Sequence, residues 1–275
     1  MRKTWLSDVL KTEKAAIGVI HLKAMPTDPL YDREKGMDYV VESARKDLIA
    51  LQNGGIDAVI FSNEFSFPYE DEPTMEVVLG MAYVIGALKK DIKVPYGANV
   101  IKNVDDSIAL NAVIGGKVMR GTFNGAYSGN NGIMNTHPGQ LLRHRHNLGL
   151  DNELKMVHYA IPESSAELGG RDKNTVVNGI LFGNLPDAIG ICGANAGKKI
   201  DLEFMRQLRA DHPELVLFAT TGVNYDTIED IYSTADAAFI ATTFKVDGKF
   251  ENEVDETRVK RFMDKLKAWR EANGY

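Results

Sequence analysis

Side chains that hold, donate or accept protons recur in this chain where short apolar runs stop. His21 and Lys23 follow AAIGVI, Asn63 and Glu64 follow AVIFS, and Asn99 and Lys102 stand at and beyond the end of VPYGANV. Arg120, Thr122 and Asn124 follow KVM, and His158 and Glu163 stand in and beyond KMVHYAI. If the runs are strands of one sheet, these groups gather at its carboxyl end. A carboxylate partly withdrawn from water there has its pKa raised toward neutrality, so Glu64 is the leading candidate for a general base, with His21 and His158 as proton shuttles. Asn99, Arg120, Thr122 and Asn124, joined by Cys192 and Gly193, offer donors and acceptors for a hydroxylated substrate. Each taken singly also fits a structural role, capping a helix or bonding backbone. Cys192 by default is a small buried apolar residue rather than a nucleophile.

A second group lies in FATTGVNYDTIEDI at 218–231 and FIATTFKVDGKF at 239–250. Loops after the last two strands of a barrel often hold a phosphate on backbone N–H groups, which makes Thr221, Gly222, Thr242 and Thr243 phosphate-binding candidates, with Thr220 beside them. The alternative is that Gly222 makes a turn and the threonines cap helices. GANAGKK at 193–199 lacks the spacer of a P-loop and has Lys199 where a Ser or Thr must bind magnesium, which excludes nucleotide hydrolysis; a Gly-rich nest near an anion or hydroxyl remains. His21, Glu64 and His158 together are a conceivable divalent-metal set, but no HExxH or other tight ligand spacing supports it, so metal is not favoured and no cofactor is assigned. In HPGQLLRHRHNLG, at 137–149, helical spacing does not bring the His and Arg side chains to one face, which leaves a solvated helix or a subunit contact.

The elements that must position these groups repeat: a helical pattern, a Gly or Asp-Ala junction, then a short apolar run. Four junctions are plain, NGGIDAVIFSNE at 53–64, IGGKVMRGTFN at 114–124, LPDAIGICGAN at 185–195 and TADAAFIATTF at 234–244. They extend to eight runs, 16–22, 58–63, 94–100, 117–123, 155–161, 188–192, 215–221 and 237–243, with amphipathic helices clearest at 38–53, 74–90 and 255–272. Eight such units predict one closed (β/α)8 TIM barrel of class α/β, a single domain over 1–275. A doubly wound open sheet is the competitor, but its Gly-rich first loop is missing, since strand one leads into HLKAMPTDPLYD. The longest irregular stretches, 23–37, 64–73, 122–136 and 161–171, all follow strand ends, where a barrel builds its site.

Composition narrows the partners. A formal charge of −6 and a pI near 5.6 argue against a nucleic-acid surface. The first residues, MRKTWLSDVLKTEKAA, break their apolar positions with charges, so neither export nor membrane insertion is expected. One cysteine excludes an intrachain disulfide and suits a reducing cytoplasm. A small-molecule sugar or sugar phosphate is the expected partner, and a homo-oligomer is compatible with the 137–149 segment.

Three segments carry a resemblance: VIHLKAMPTDPLYDREKGMDYVVESARKDLIALQNGGIDAVIFSNEFSFPY at 19–69, PYGANVIKNVDD at 95–106 and ADAAFIATTFKVDGKFENEVDETRVKRF at 235–262. Together they resemble the BtpA/SgcQ family over nearly the whole chain. The resemblance implies a barrel of the ribulose-phosphate-binding type, in a family linked both to carbohydrate metabolism and to photosystem I biogenesis. Three functions stay open. The first is an isomerase, epimerase or aldolase-like lyase acting on a sugar or sugar phosphate by acid/base chemistry. The second is cleavage of a glycosidic or nucleosidic bond, with Glu64 and a carboxylate such as Glu163 sharing the work. The third is a non-catalytic binding or assembly factor. A Schiff base is less favoured, since no Lys ends strand six or seven and only Lys23, Lys102 and Lys245 lie near the loops.

Overall fold

The apolar runs become strands covered on both faces, and for that reason they lack the alternation of a half-exposed sheet. The computed structural model describes residues 2–130, 132–193 and 199–275. Its strands are β1 (Ala15–His21), β2 (Ala58–Ser62), β3 (Tyr96–Asn99), β4 (Val118–Gly121), β5 (Ala126–Gly129), β6 (Gly132–Asn135), β7 (Lys155–Tyr159), β8 (Ser165–Glu167), β9 (Ala188–Ile191), β10 (Leu217–Ala219) and β11 (Ala237–Ile240). Eight of them form one parallel sheet in the order β3-β2-β1-β11-β10-β9-β7-β4. The two ends of that order meet. Lys117 donates its backbone N–H to the Tyr96 carbonyl at 2.7 Å, and Gly97 lies so close to β4 that a Cβ there would sit 1.7 Å from the Val118 carbonyl oxygen. The sheet therefore curls into a barrel, as the eight repeated units imply.

A helix follows every barrel strand. After α1 (Trp5–Val9) come α2 (Gly36–Asn53), α3 (Met75–Leu88), α4 (Val104–Ile114), α5 (Pro138–Asn147), α6 (Lys173–Gly183), α7 (Leu202–Asp211), α8 (Ile228–Tyr232) and α9 (Glu256–Ala272). Most of their apolar faces pack on the outside of the sheet in one large cluster, which includes Ile20, Phe61, Leu48, Met81 and Phe262, while Ile108 of α4 and Leu141 of α5 pack with Met119 and Met156 in a smaller one. The barrel interior is a smaller cluster of Ile17, Val19, Ile60, Val157, Phe218 and Phe239 among others. Leu6 and Leu10, in and just after α1, join it from below, and Trp5 stacks on Phe218 at 6.0 Å, so α1 plugs the amino-terminal opening.

The Asp-Ala junctions have a common physical role at that lower end. Asp57, Asp187 and Asp236 each precede a strand, and each accepts the first or second backbone N–H of a neighbouring strand, from Ala16, Met156 and Leu217 respectively. Each is also paired with an arginine from the helix layer: Arg270, Arg145 and Arg209. Aspartate is short enough to reach the adjacent strand and charged enough to hold the guanidinium, which accounts for its recurrence before Ala at the strand start.

The stretches 122–136 and 161–171, expected to be irregular, instead build a small antiparallel sheet in the order β6-β5-β8. Its strands are mostly exposed or half-buried, with only Tyr127 buried outright, so no apolar pattern announces them. Among the described residues no helix is long and apolar enough to cross a membrane.

Candidate active site

Alternation along a strand decides which side chains enter the mouth of the barrel. Ala15, Ile17 and Val19 line the interior, so His21 ends β1 pointing inward. Val118 leads by the same step to Arg120 and then Thr122, Val157 to Tyr159, Ala188 to Gly190 and Cys192, and Phe218 to Thr220. On β3, Tyr96 and Ala98 face the helices, which leaves Asn99 inward; it is in register with Ser62, and Ser62 with His21. The same parity turns His158 the other way. It lies behind the sheet beside Met156, 1% exposed, with its ring centroid 4.5 Å from that of Phe123. Neither ring nitrogen has a hydrogen-bond partner. Burial, reinforced by repulsion from Arg145, lowers its pKa to about 3, so it is neutral at physiological pH. His158 therefore does not join His21 and Glu64.

Arg120 is the centre of the mouth. Its guanidinium lies 4.9 Å over the Phe239 ring, which floors the site, and its Nη2 is 3.4 Å from Oε1 of Glu64. Burial works against the guanidinium charge, but Tyr159, Glu64, Glu163 and Cys192 around it more than offset this and raise its pKa. Tyr159 fits because Gly190 has no side chain: a Cβ there would lie 2.9 Å from both the Tyr159 ring and the Thr220 methyl. Glu163 comes in from the loop after β7. Its Oε2 is buried without a partner among the described residues, and burial, partly countered by Arg120 and strengthened by the Glu64 charge, raises its pKa. Tyr69 braces the far side of Glu64 by donating its hydroxyl to the Glu64 carbonyl at 3.0 Å.

Cys192 accepts a hydrogen bond from the Thr220 hydroxyl at 3.1 Å, yet burial pushes its pKa up to about 12, which keeps it a thiol. His21 is buried too, and its pKa is lowered to about 4 by desolvation against the opposing pull of Glu64. Its Nδ1 is unpartnered, and its ring meets Phe250 at 4.7 Å and Phe65 at 6.5 Å. Phe65, Phe67 and Phe250 thus form an aromatic cover on this side of the mouth. Of the lysines near the loops, Lys245 is buried in an ion pair with Asp47 at 2.8 Å, Lys102 is paired with Asp71 at 2.5 Å, and Lys23 lies 4.0 Å over the Phe65 ring.

The remaining sequence candidates fall around this centre. Thr122 is half-buried just past β4. Asn124 is buried and donates to the Tyr127 hydroxyl at 3.1 Å, while its Oδ1 lacks a partner. Gly193 donates its backbone N–H to the Thr221 hydroxyl at 2.6 Å, and Thr243 donates its own hydroxyl to the Val223 carbonyl at 2.7 Å. Gly222 has φ +70°, the left-handed region that suits glycine, and Thr242 opens a short 3-10 turn through Phe244. Residues 194–198 of GANAGKK lie outside the described residues, and Lys199 is exposed. In α5, Arg145 is not solvated: it is buried against Asp187, while His144 and His146 meet Asp105 and Asp151. Among the described residues no three His, Cys, Asp or Glu side chains converge to hold a metal ion.

Sequence reasoning missed Tyr159, Tyr69 and the aromatic cover. KMVHYAI carries no signal for Tyr159, because only the placement of Val157 in the interior turns Tyr159 inward.

An eight-stranded parallel barrel with a charged mouth at the carboxyl ends of its strands defines the class of protein. The chain belongs to the BtpA family, whose model matches residues 12–268. It is 41% identical over 263 residues to the sgc region protein SgcQ of Escherichia coli (strain K12), covering 96% of this chain and 98% of that protein. It is 25% identical over 264 residues to the photosystem I biogenesis protein BtpA of Synechocystis sp. (strain ATCC 27184 / PCC 6803 / Kazusa), covering 95% and 91%. Among solved structures it is similar to phosphoribosyl anthranilate isomerase of Thermus thermophilus, with a TM-score of 0.56 and 9% identity over 93% of this chain and 100% of that one, a likeness of fold.

Proposed function

We propose that this protein is an enzyme that acts on a sugar or sugar phosphate by general acid/base chemistry, as an isomerase, epimerase or aldolase-like lyase. The observation that carries the reading is the Glu64–Arg120–Glu163 cluster, in which Glu64 is ion-paired with Arg120 and Glu163 is buried within reach of the same positive charge. Two carboxyls held in unlike surroundings divide into a base and an acid. Glu64, ion-paired with Arg120, takes the proton from a carbon next to the substrate carbonyl. Glu163, whose pKa is raised, gives a proton to the carbonyl oxygen. The electron pair of the broken C–H bond passes into the new C=C bond of an enediol, and the Arg120 guanidinium stabilises the charge that develops on oxygen. Delivery of the proton from Glu64 to the former carbonyl carbon, while the hydroxyl of the neighbouring carbon gives its proton back to Glu163 and becomes the new carbonyl, completes an isomerisation. Reprotonation of the original carbon from the opposite face gives an epimer. His21, neutral at working pH, with Asn99 and Thr122, holds substrate hydroxyls.

If the substrate carries a phosphate, it is held at Gly222 and Thr242–Thr243 by backbone groups, because the Thr221 and Thr243 hydroxyls are engaged within the chain. The same carboxyl pair favours a second reading, cleavage of a glycosidic or nucleosidic bond. A non-catalytic assembly factor has no evident use for a buried carboxyl at a barrel mouth that lacks a hydrogen-bond partner among the described residues.

Thermal shifts across free sugars, sugar phosphates and nucleosides, followed by product analysis of each compound that raises Tm, test the proposal. Conversion of a sugar or sugar phosphate into an isomer or into two carbonyl fragments supports it. Release of a free sugar from a glycoside selects the second reading, and binding without turnover overturns both.

A further inference from the structure

The geometry points to a second binding site beside the mouth, a cavity that takes the phosphate or carboxylate group of a small molecule on Lys23. The cavity, about 180 Å³, lies between the loop after β1 and the start of α2 and is lined by Lys23, Tyr31, Asp32, Lys35, Tyr39 and Phe65 among others. Phe65 links it to the active-site mouth, since the same ring meets both His21, at 6.5 Å, and the Lys23 ammonium, at 4.0 Å.

The charge pattern identifies the ligand. The carboxylates of Asp47 and Glu253, which act on Lys23, and that of Asp32, which lines the cavity, already have cations: Asp47 is bonded to Lys245, Glu253 to Lys46, and Asp32 to Lys35 at 2.9 Å. Among the described residues Lys23 itself has no carboxylate partner. Its contacts are the face of Phe65 at 4.0 Å and a long hydrogen bond to the Glu251 carbonyl at 3.4 Å. A half-buried ammonium with one long acceptor among the described residues keeps donors that a ligand oxygen can take. Its pKa is lowered, by burial first and by Lys245 next. A phosphate or carboxylate oxygen in the cavity supplies the missing partner through a charge-assisted hydrogen bond. The tyrosine rings form partly apolar walls that admit the carbon skeleton attached to it. This site stands apart from the acid/base reading, and its test measures binding rather than turnover.

The full-length protein is titrated with inorganic phosphate and, separately, with malonate at constant ionic strength, by calorimetry, with Lys23→Met and Lys23→Arg alongside the wild type. Crystals of each are soaked in tungstate, a tetrahedral oxyanion visible by anomalous scattering. Saturable binding is expected, weakened at least tenfold in Lys23→Met and retained in Lys23→Arg, with tungstate between Lys23 and Tyr31. Tighter phosphate than malonate identifies a phosphate ligand, and the reverse order a carboxylate. The proposal is overturned if neither anion saturates, if Lys23→Met binds as the wild type does, or if tungstate appears only at Gly222 and Thr242–Thr243. Circular dichroism verifies that Lys23→Met is folded. If it is not, Lys23→Gln takes its place, and loss of tungstate from this cavity alone is then the supporting result, while retention overturns.

Discussion

Arg120 reaches from β4 to Glu64 beyond the end of β2, bringing Nη2 to within 3.4 Å of Oε1 across the mouth of the barrel. The two side chains are only 12% and 16% exposed, and Glu163 enters the same enclosure from a third element. A cation shared by two carboxyl groups in a water-poor space is suited to moving protons while holding a negative oxygen.

Glu64→Gln and Glu163→Gln should each lower turnover of the converted sugar at least about a hundredfold, the low end for a positioned acid or base. Both keep shape and much of the hydrogen bonding, so Tm should move little. Steady-state kinetics and thermal melts on the same preparations check this; full activity in either variant removes that residue from the proton path.

Arg120 lowers the Glu163 pKa against the larger effect of burial. Replacing Arg120 with Gln should therefore move the limb of the pH–rate profile that reports Glu163 to higher pH, besides lowering kcat. A displacement in the opposite direction contradicts the assigned geometry.

His158 and His21 are held neutral, with pKa values of about 3 and about 4 against an ordinary value of 6.5. Below pH 6.5 the unfolded chain binds protons at these rings that the folded chain refuses, so stability is complete above that pH and falls as pH drops toward the folded values. Each ring contributes a slope of up to about 1.4 kcal/mol per pH unit within its window. Urea melts of His158→Leu between pH 4 and pH 7, values on the order of the ordinary histidine range, should show a shallower dependence than the wild type. An identical slope refutes the assignment.

Gly97→Ala should destabilise by more than about 4 kcal/mol or prevent folding, because the new methyl meets the Val118 carbonyl at the barrel seam, a backbone atom that has no rotamer to yield. Gly86→Ala, in α3 with nothing within 4 Å of the added Cβ, should stabilise by about 0.5–1 kcal/mol. Chemical denaturation of the pair tests both signs.

Asp57→Ala removes the acceptor shared by the Ala16 N–H and Arg270 and leaves that guanidinium nearly buried without its carboxylate. A loss of about 3–5 kcal/mol is expected at the closed end of the barrel. Below the unfolding transition, ligand binding at the mouth should be unchanged; equilibrium unfolding and titration of a mouth ligand decide the matter.

The sequence by itself determined the barrel. Its eight apolar runs, Gly turns and Asp-Ala junctions are local features, each readable within a dozen residues, and Asp57, Asp187 and Asp236 show that the junctions mark strand starts for a stereochemical reason. It also put His21, Asn99 and Arg120 at or near strand ends, because a strand end is where an apolar run stops. Only the tertiary structure decided which side of the sheet each residue takes. A strand covered on both faces has no polar alternation, so nothing in KMVHYAI distinguishes His158, which faces the helices, from Tyr159, which faces the mouth. Only the tertiary structure, too, brings Glu163 back to Arg120, hides Arg145 against Asp187 and engages the Thr221 and Thr243 hydroxyls within the chain. Those contacts join residues far apart in the chain through loop paths that no local period encodes.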